Sequence, residues 1–188
     1  MLEQPSLLLR PWAYTLEVAW PKKMVQGAAW VRAIVDPTTD AALGFAGWDS
    51  STMAALLGWL GRKKIQVFES EDESLLMTLY RPPGFSRMWE VADAEERRVG
   101  HLYRDAIYDG YGTRLATMSS AADGSETVLR GDAGAVLGAW QEIPGQGRYF
   151  RFGDAVHDNP FARMVTLAGV LALPPWPGDL AVAARMAV

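Results

Sequence analysis

Along Trp12, Tyr14, Leu16, Val18 and Trp20 the chain alternates large apolar residues with Ala13, Thr15, Glu17 and Ala19. A period of two sends the two sets to opposite faces of an extended segment, so 12–20 reads as a half-buried strand. Further extended runs are Ala28–Val35, Ile65–Glu69, Leu75–Tyr80, Met88–Ala92, Val99–Arg104, Arg114–Met118, Glu126–Leu129, Ala135–Gln141 and Arg148–Phe152. Turn-forming sets separate them: Asp36-Pro37, Ser70-Glu71-Asp72, Asp93-Ala94-Glu95-Glu96, Asp109-Gly110, Asp123-Gly124 and Gly145-Gln146-Gly147. Turns at this spacing predict an antiparallel meander, closed as a barrel or folded as a sandwich.

Two segments follow a helical period instead. Ser50 or Ser51 caps a stretch reaching Leu60, with Met53, Leu56, Leu57 and Leu60 at the i, i+3, i+4, i+7 positions of one face. Gly61 ends it, and Arg62, Lys63 and Lys64 stand where cations favour a helix C-terminus. This element reads as a lid packed on one end of the sheet, or as an amphipathic helix lying on a membrane surface with its basic cluster beside it. The second segment starts at Asn159, a good N-cap, continues with Pro160 at the first helical position, and runs to Leu173 before Pro174-Pro175. After Arg163 it carries no charge on any face, so as a helix it must be enclosed all round. Its length of about 21 Å is well short of a bilayer core of about 30 Å, which favours enclosure within protein over a membrane span. The expected fold class is therefore mainly β: an antiparallel barrel of about a dozen strands around a buried apolar C-terminal helix, plus one short amphipathic helix.

Composition narrows the class. With 188 residues, 49% hydrophobic and 21% charged, the chain reads as a single globular domain over 1–188. A net charge of -4 lacks the basic footprint of a nucleic-acid binder. There is no cysteine, which excludes disulfides, palmitoylation and thiolate chemistry. No export signal is visible near Met1, and the expected location is the cytoplasm, with peripheral membrane contact as its extension.

Candidate chemistry is sparse. Gly110-Tyr111-Gly112 lacks the third glycine and the strand-to-helix setting of a phosphate loop and reads as a hairpin turn. His101 and His157 have no partner at helical metal-ligand spacing, so no metal and no cofactor are expected. His101 alternates with apolar residues in a strand and reads as structural. Glu69, Glu71, Asp72 and Glu73 lack the glycine of a calcium loop and read as a solvated hairpin tip. Of the eight tryptophans, Trp12, Trp20, Trp30, Trp89 and Trp140 fall in strand patterns, and Trp48, Trp59 and Trp176 near helix or loop ends.

Over roughly 64–173 the chain resembles the tubby C-terminal-like superfamily, in its phospholipid scramblase and LURP-one-related branch. The resemblance rests on the order of Ile65-Gln66-Val67-Phe68-Glu69-Ser70-Glu71-Asp72, Trp89-Glu90-Val91-Ala92-Asp93, Arg98-Val99-Gly100-His101-Leu102, Asp109-Gly110-Tyr111-Gly112, Leu137-Gly138-Ala139-Trp140 and the apolar helix after Asn159-Pro160-Phe161. It implies a barrel of about a dozen strands wrapped around the C-terminal helix and a link to membranes. The chain departs from scramblases in lacking their cysteine cluster, and Gly153–Asp158 offers only Asp154 and Asp158 where they carry an acidic calcium segment.

The leading expectation is a non-catalytic lipid- or membrane-surface-associated binding module that meets an anionic surface through Arg62, Lys63 and Lys64. The alternative is a soluble scaffold that meets another protein through its Trp-bearing loops. A third, weaker reading is an enzyme whose site assembles around His101 or His157.

Overall fold

A computed structural model gives the fold and describes residues 12–17, 28–36, 39, 41–49, 63–69, 74–82, 87–121, 126–143, 147–156 and 158–172. Among these the strands are β1 (Trp12–Glu17), β2 (Ala28–Val35), β3 (Ala42–Asp49), β4 (Lys63–Glu69), β5 (Leu75–Arg81), β6 (Met88–Asp93), β7 (Arg98–Tyr103), β8 (Ala106–Asp109), β9 (Arg114–Ser120), β10 (Thr127–Arg130), β11 (Val136–Ile143) and β12 (Gly147–Phe152). One helix follows, α1 (Pro160–Ala172). Each strand pairs antiparallel with its neighbour in sequence. β1 also pairs with β12, Trp12 opposite Arg151 and Thr15 opposite Arg148, so the strand order returns to its start as a closed barrel.

Antiparallel order gives this barrel two chemically distinct ends. The entry end carries the β2–β3, β4–β5, β6–β7, β8–β9 and β10–β11 turns, together with the link from β12 into α1. The far end carries the opposite ends of the strands, the β7–β8 turn and the last turn of α1.

The interior is filled by α1. Every residue from Ala162 to Ala172 is buried, which is how a helix without a polar face avoids presenting apolar surface to water. It packs most heavily on β7 and β8 and then on β11. Leu167, Ala168 and Leu171 have no exposed surface and share one buried apolar cluster with inward wall positions such as Ile65, Val67, Met77 and Leu79. Each of these Leu, Ile, Val and Met side chains contributes roughly 1.5–3 kcal/mol on burial. Two glycines set how closely helix and wall approach. A Cβ on Gly100 would lie 2.3 Å from the Tyr108 carbonyl oxygen and 2.8 Å from Val165 Cγ2, and one on Gly138 would lie 2.7 Å from Thr166 Cγ2.

Both ends of α1 are satisfied by nearby groups. At the N-terminus Asn159 Oδ1 accepts the Ala162 N–H at 3.0 Å, the expected cap. Arg163, buried with 3% exposure, donates from Nε to the Val156 carbonyl at 3.1 Å, with its guanidinium 5.2 Å from the Phe152 ring centroid. At the other end Arg148, 2% exposed, donates from Nη1 to the Val170 carbonyl at 2.5 Å. A cation on a carbonyl of the last turn suits both the unpaired backbone there and the helix dipole.

Several boundaries differ from the pattern-based expectation. β3 and β8 are strands that alternation did not reveal, and Trp48 lies within β3, opposite Trp30 and Ile65, rather than near a loop end. β4 begins at Lys63, so Lys63 and Lys64 open a strand instead of closing a helix. β7 stops at Tyr103, because Arg104 takes a left-handed backbone, φ 57°, and turns the chain. The expected helix at 50–60 lies outside the described residues, as do Arg62, His157, the tip 71–73, Trp20, Trp59 and Trp176.

Candidate functional site

Strand register assembles a basic region at the far end from segments distant in sequence. Lys63 pairs with Arg81 and Lys64 with Tyr80 across β4 and β5. Across β6 and β7 Met88 pairs with Tyr103, which brings Arg87, just before β6, and Arg104, just after β7, to the same end. Of the three expected site residues, Lys63 and Lys64 thus lie on β4 and Arg62 lies outside the described residues. Arg81, Arg87 and Arg104 were missed, because only pairing across strands shows that they are neighbours. Tyr103 is exposed, and the Arg104 guanidinium sits 5.3 Å from its ring centroid, a cation–π arrangement. The left-handed conformation of Arg104 costs an L residue about 1 kcal/mol, so the turn holds this cation outward against a local preference.

The entry end is different in character. The β6–β7 turn, the β8–β9 turn and the first turn of α1 surround a half-open cavity of about 470 Å³. Val99, Leu115, Ala162 and Val165 contribute its apolar walls. Tyr111, 98% exposed, and Phe161, 55% exposed, stand at its mouth. Its carboxylates hold the turns together. Asp93 Oδ1 accepts the Glu95 and Arg97 backbone N–H groups at 3.1 and 2.8 Å, and Oδ2 accepts Arg97 Nε at 2.7 Å. Burial pushes the Asp93 carboxyl up, but the Arg97 side-chain and backbone hydrogen bonds and the nearby charge outweigh it and leave the group below its ordinary value. Asp109 Oδ1 similarly accepts the Tyr111 and Thr113 N–H groups at 2.9 and 2.8 Å, so Asp109-Gly110-Tyr111-Gly112 is the expected turn.

His101 lies on the outer wall between these ends. Its ring stacks on Tyr108 at 4.6 Å between centroids, and Nδ1 is 3.0 Å from Arg98 Nη2. A guanidinium only donates, so Nδ1 is the acceptor and the neutral ring carries its proton on Nε2. Burial first, and then the Arg98 charge, hold its pKa below the ordinary histidine value, with Glu90 and Asp109 opposing. Among the described residues no nucleophile or carboxylate hydrogen-bonds this ring, as a base between a nucleophile and an orienting acid would require. Among the described residues no group of three His, Asp or Glu side chains is placed to hold a metal ion. No helix among them is long and apolar enough to cross a membrane.

No protein-family model matches this sequence, and no curated protein matches it. A crystal structure of a protein from Arabidopsis thaliana aligns with 88% of this chain and 99% of its own at 9% identity, with a TM-score of 0.48. A structure of TarM from S. aureus and a further TarM structure align at 13% and 14% identity, each with a TM-score of 0.23. They match 75% and 77% of this chain, which spans only 21% and 22% of theirs. At these scores the overlaps assign neither fold nor activity.

Proposed function

We propose that the protein is a non-catalytic binding module of the tubby C-terminal-like type, in the scramblase and LURP-one-related branch, and that its far end meets an anionic lipid surface. The family reading is supported by the order of strands, turns and final apolar helix. The surface reading is carried by one observation: register gathers Lys63, Lys64, Arg81, Arg87 and Arg104 at one end of four adjacent strands, beside the exposed Tyr103. Among the described residues of β3 to β8 the acidic ones at this end are Asp49, which closes β3 at the level of Lys64, and Asp105, next to Arg104, and they are fewer than the five cations.

Each Lys or Arg near an anionic leaflet contributes about 1 kcal/mol, which screening removes beyond a Debye length of about 8 Å at physiological salt. Five cations together are sufficient for reversible attachment. A tyrosine with an apolar body and a polar tip suits the same boundary.

Co-sedimentation with phosphatidylcholine vesicles, with and without phosphatidylserine, tests the reading. Binding is expected only with the anionic lipid, weakening as salt rises, and the Arg81→Glu/Arg104→Glu double variant is expected to abolish it. Equal binding by that variant would remove the basic end as the contact. Absence of parent binding to any vesicle would reject the lipid reading and favour the protein scaffold.

A further inference from the structure

We infer that the entry-end cavity binds a small organic cation, one primary ammonium group on an apolar body, and that Asp109 is its charge partner. This site is separate from the basic far end and does not depend on lipid attachment there.

A volume of about 470 Å³ falls within the roughly 300–1,000 Å³ of small-molecule sites. Val99, Leu115, Ala162 and Val165 offer an apolar body a dry surface. Tyr111 and Phe161 are large rings left open to solvent at the mouth, 98% and 55% exposed. The electron-rich face of such a ring attracts a cation and does not attract an anion.

Charge accounting selects the sign. Arg97 meets two carboxylates, Asp93 at 2.7 Å and Glu95 at 2.8 Å, so that group stays net negative. Asp109 Oδ1 accepts the Tyr111 and Thr113 N–H groups, while its Oδ2 has no hydrogen-bond or ion-pair partner among the described residues. The opposing charge in the lining is Arg98, whose Nη2 reaches to 3.0 Å from Nδ1 of His101, a residue that does not line the cavity. Beyond the lining, Glu96 on the β6–β7 turn and Asp154 and Asp158 ahead of α1 are exposed and make the rim more acidic. Carboxylates thus outnumber guanidinium groups around the opening, and a cleft of that balance concentrates cations. The cation that fits is organic, because the walls are apolar and among the described residues no group of three His, Asp or Glu side chains is placed to hold a metal ion. A primary ammonium donates to Asp109 Oδ2 in a charge-assisted hydrogen bond while its apolar body rests on the walls.

Isothermal titration of the full chain with octylammonium, octanol and octanoate, each below its micellar or solubility limit, tests this. Saturable octylammonium binding is expected, with the alcohol and the carboxylate at least about tenfold weaker, since a charge-assisted pair exceeds a neutral contact by about that factor. Asp109→Asn keeps an oxygen for the two backbone donors, so it is expected to hold its thermal midpoint and lose octylammonium affinity about tenfold. Tyr111→Ala removes an almost fully exposed side chain, and is expected to spare the fold and weaken octylammonium about threefold. The Arg81→Glu/Arg104→Glu variant is expected to bind octylammonium as the parent does, whatever the vesicles show. Methyl resonances of Val99, Leu115 and Val165 are expected to move with octylammonium. Absence of saturable octylammonium binding, octanol or octanoate binding as tightly, an affinity unchanged by either Asp109→Asn or Tyr111→Ala, or movement confined to other methyls would each overturn the proposal.

Discussion

Gly100→Ala and Gly169→Ala add the same methyl group to the same interface, one from the wall and one from the helix, and the structure assigns them opposite signs. On Gly100 the new carbon would meet the Tyr108 carbonyl oxygen at 2.3 Å and Val165 Cγ2 at 2.8 Å. The first neighbour is backbone of β8, held in register by the pairing of Gly100 with Asp109, so it cannot rotate away. Relief requires the β7–β8 ladder or α1 to shift, and overpacking of this kind costs about 1–3 kcal/mol. The upper end of that range applies because a backbone atom is involved. On Gly169, inside α1, the nearest atom would be Leu129 Cδ1 at an ordinary 3.7 Å. Replacing glycine by alanine in a helix interior then gains about 0.5–1 kcal/mol. Urea unfolding followed by tryptophan fluorescence reads both. With a slope of about 2 kcal/mol per M, Gly100→Ala is expected to lower the midpoint by about 1 M or more, and Gly169→Ala to raise it by a few tenths. An unchanged midpoint for Gly100→Ala would mean that α1 does not press on the wall at β7. A destabilised Gly169→Ala would mean that the interior near Leu129 is fuller than described.

Three further substitutions probe the interior and the wall. Thr166 is buried with a hydroxyl that has no hydrogen-bond partner among the described residues, so the isosteric Thr166→Val is expected to stabilise by about 1 kcal/mol in the same urea assay, and a loss of stability would show that the hydroxyl is satisfied. Arg148→Met removes the donor to the Val170 carbonyl and is expected to cost about 2 kcal/mol, whereas an unchanged midpoint would show that the last turn of α1 does not need it. The His101 pKa is held down by burial and then by Arg98, so the ring is expected to titrate below about 6.5 by NMR, and Arg98→Gln to move it upward. Because the unfolded chain binds this proton more readily, the stability contributed by His101 is present above the unfolded pKa and is lost as pH falls through the folded one. A His101→Gln variant with the same pH dependence of its thermal midpoint as the parent would refute that linkage.

Much of the strand pattern and the whole logic of α1 were legible because each follows from a local period and a missing polar face. β3 was not: Gly44 and Gly47 interrupt its alternation, and it becomes a strand because β2 and β4 supply partners on both sides. β8 was hidden for a different reason. Turns are usually announced by glycine, but the β7–β8 turn uses Arg104 at φ 57°, so Val99–Arg104 read as one continuous strand. The functional surfaces were legible only in fragments. Lys63 and Lys64 are adjacent in sequence, but Arg81, Arg87 and Arg104 join them through register. The cavity draws on 93–99, 109–115 and 159–165, three stretches with no common motif.

The same missing polar face that predicts enclosure of α1 also decides where ligands can be met. Leu167, Ala168 and Leu171 occupy the space that larger or emptier barrels leave to a ligand, so this barrel has a packed core in place of a lumen. Recognition is then confined to the outer wall and the two ends, and the ends differ in charge. Glu95, Glu96, Asp154 and Asp158 surround the entry end, whereas Lys63, Lys64, Arg81, Arg87 and Arg104 collect at the far one. The length of α1 separates them by about 20 Å, about two Debye lengths or more at physiological salt. Charges at one end therefore barely perturb binding at the other. Substitutions at the two ends should combine additively, so a Glu95→Gln/Glu96→Gln variant is expected to leave vesicle affinity unchanged. A coupling of tenfold or more would require α1 itself to move, because it is the element that reaches both sites.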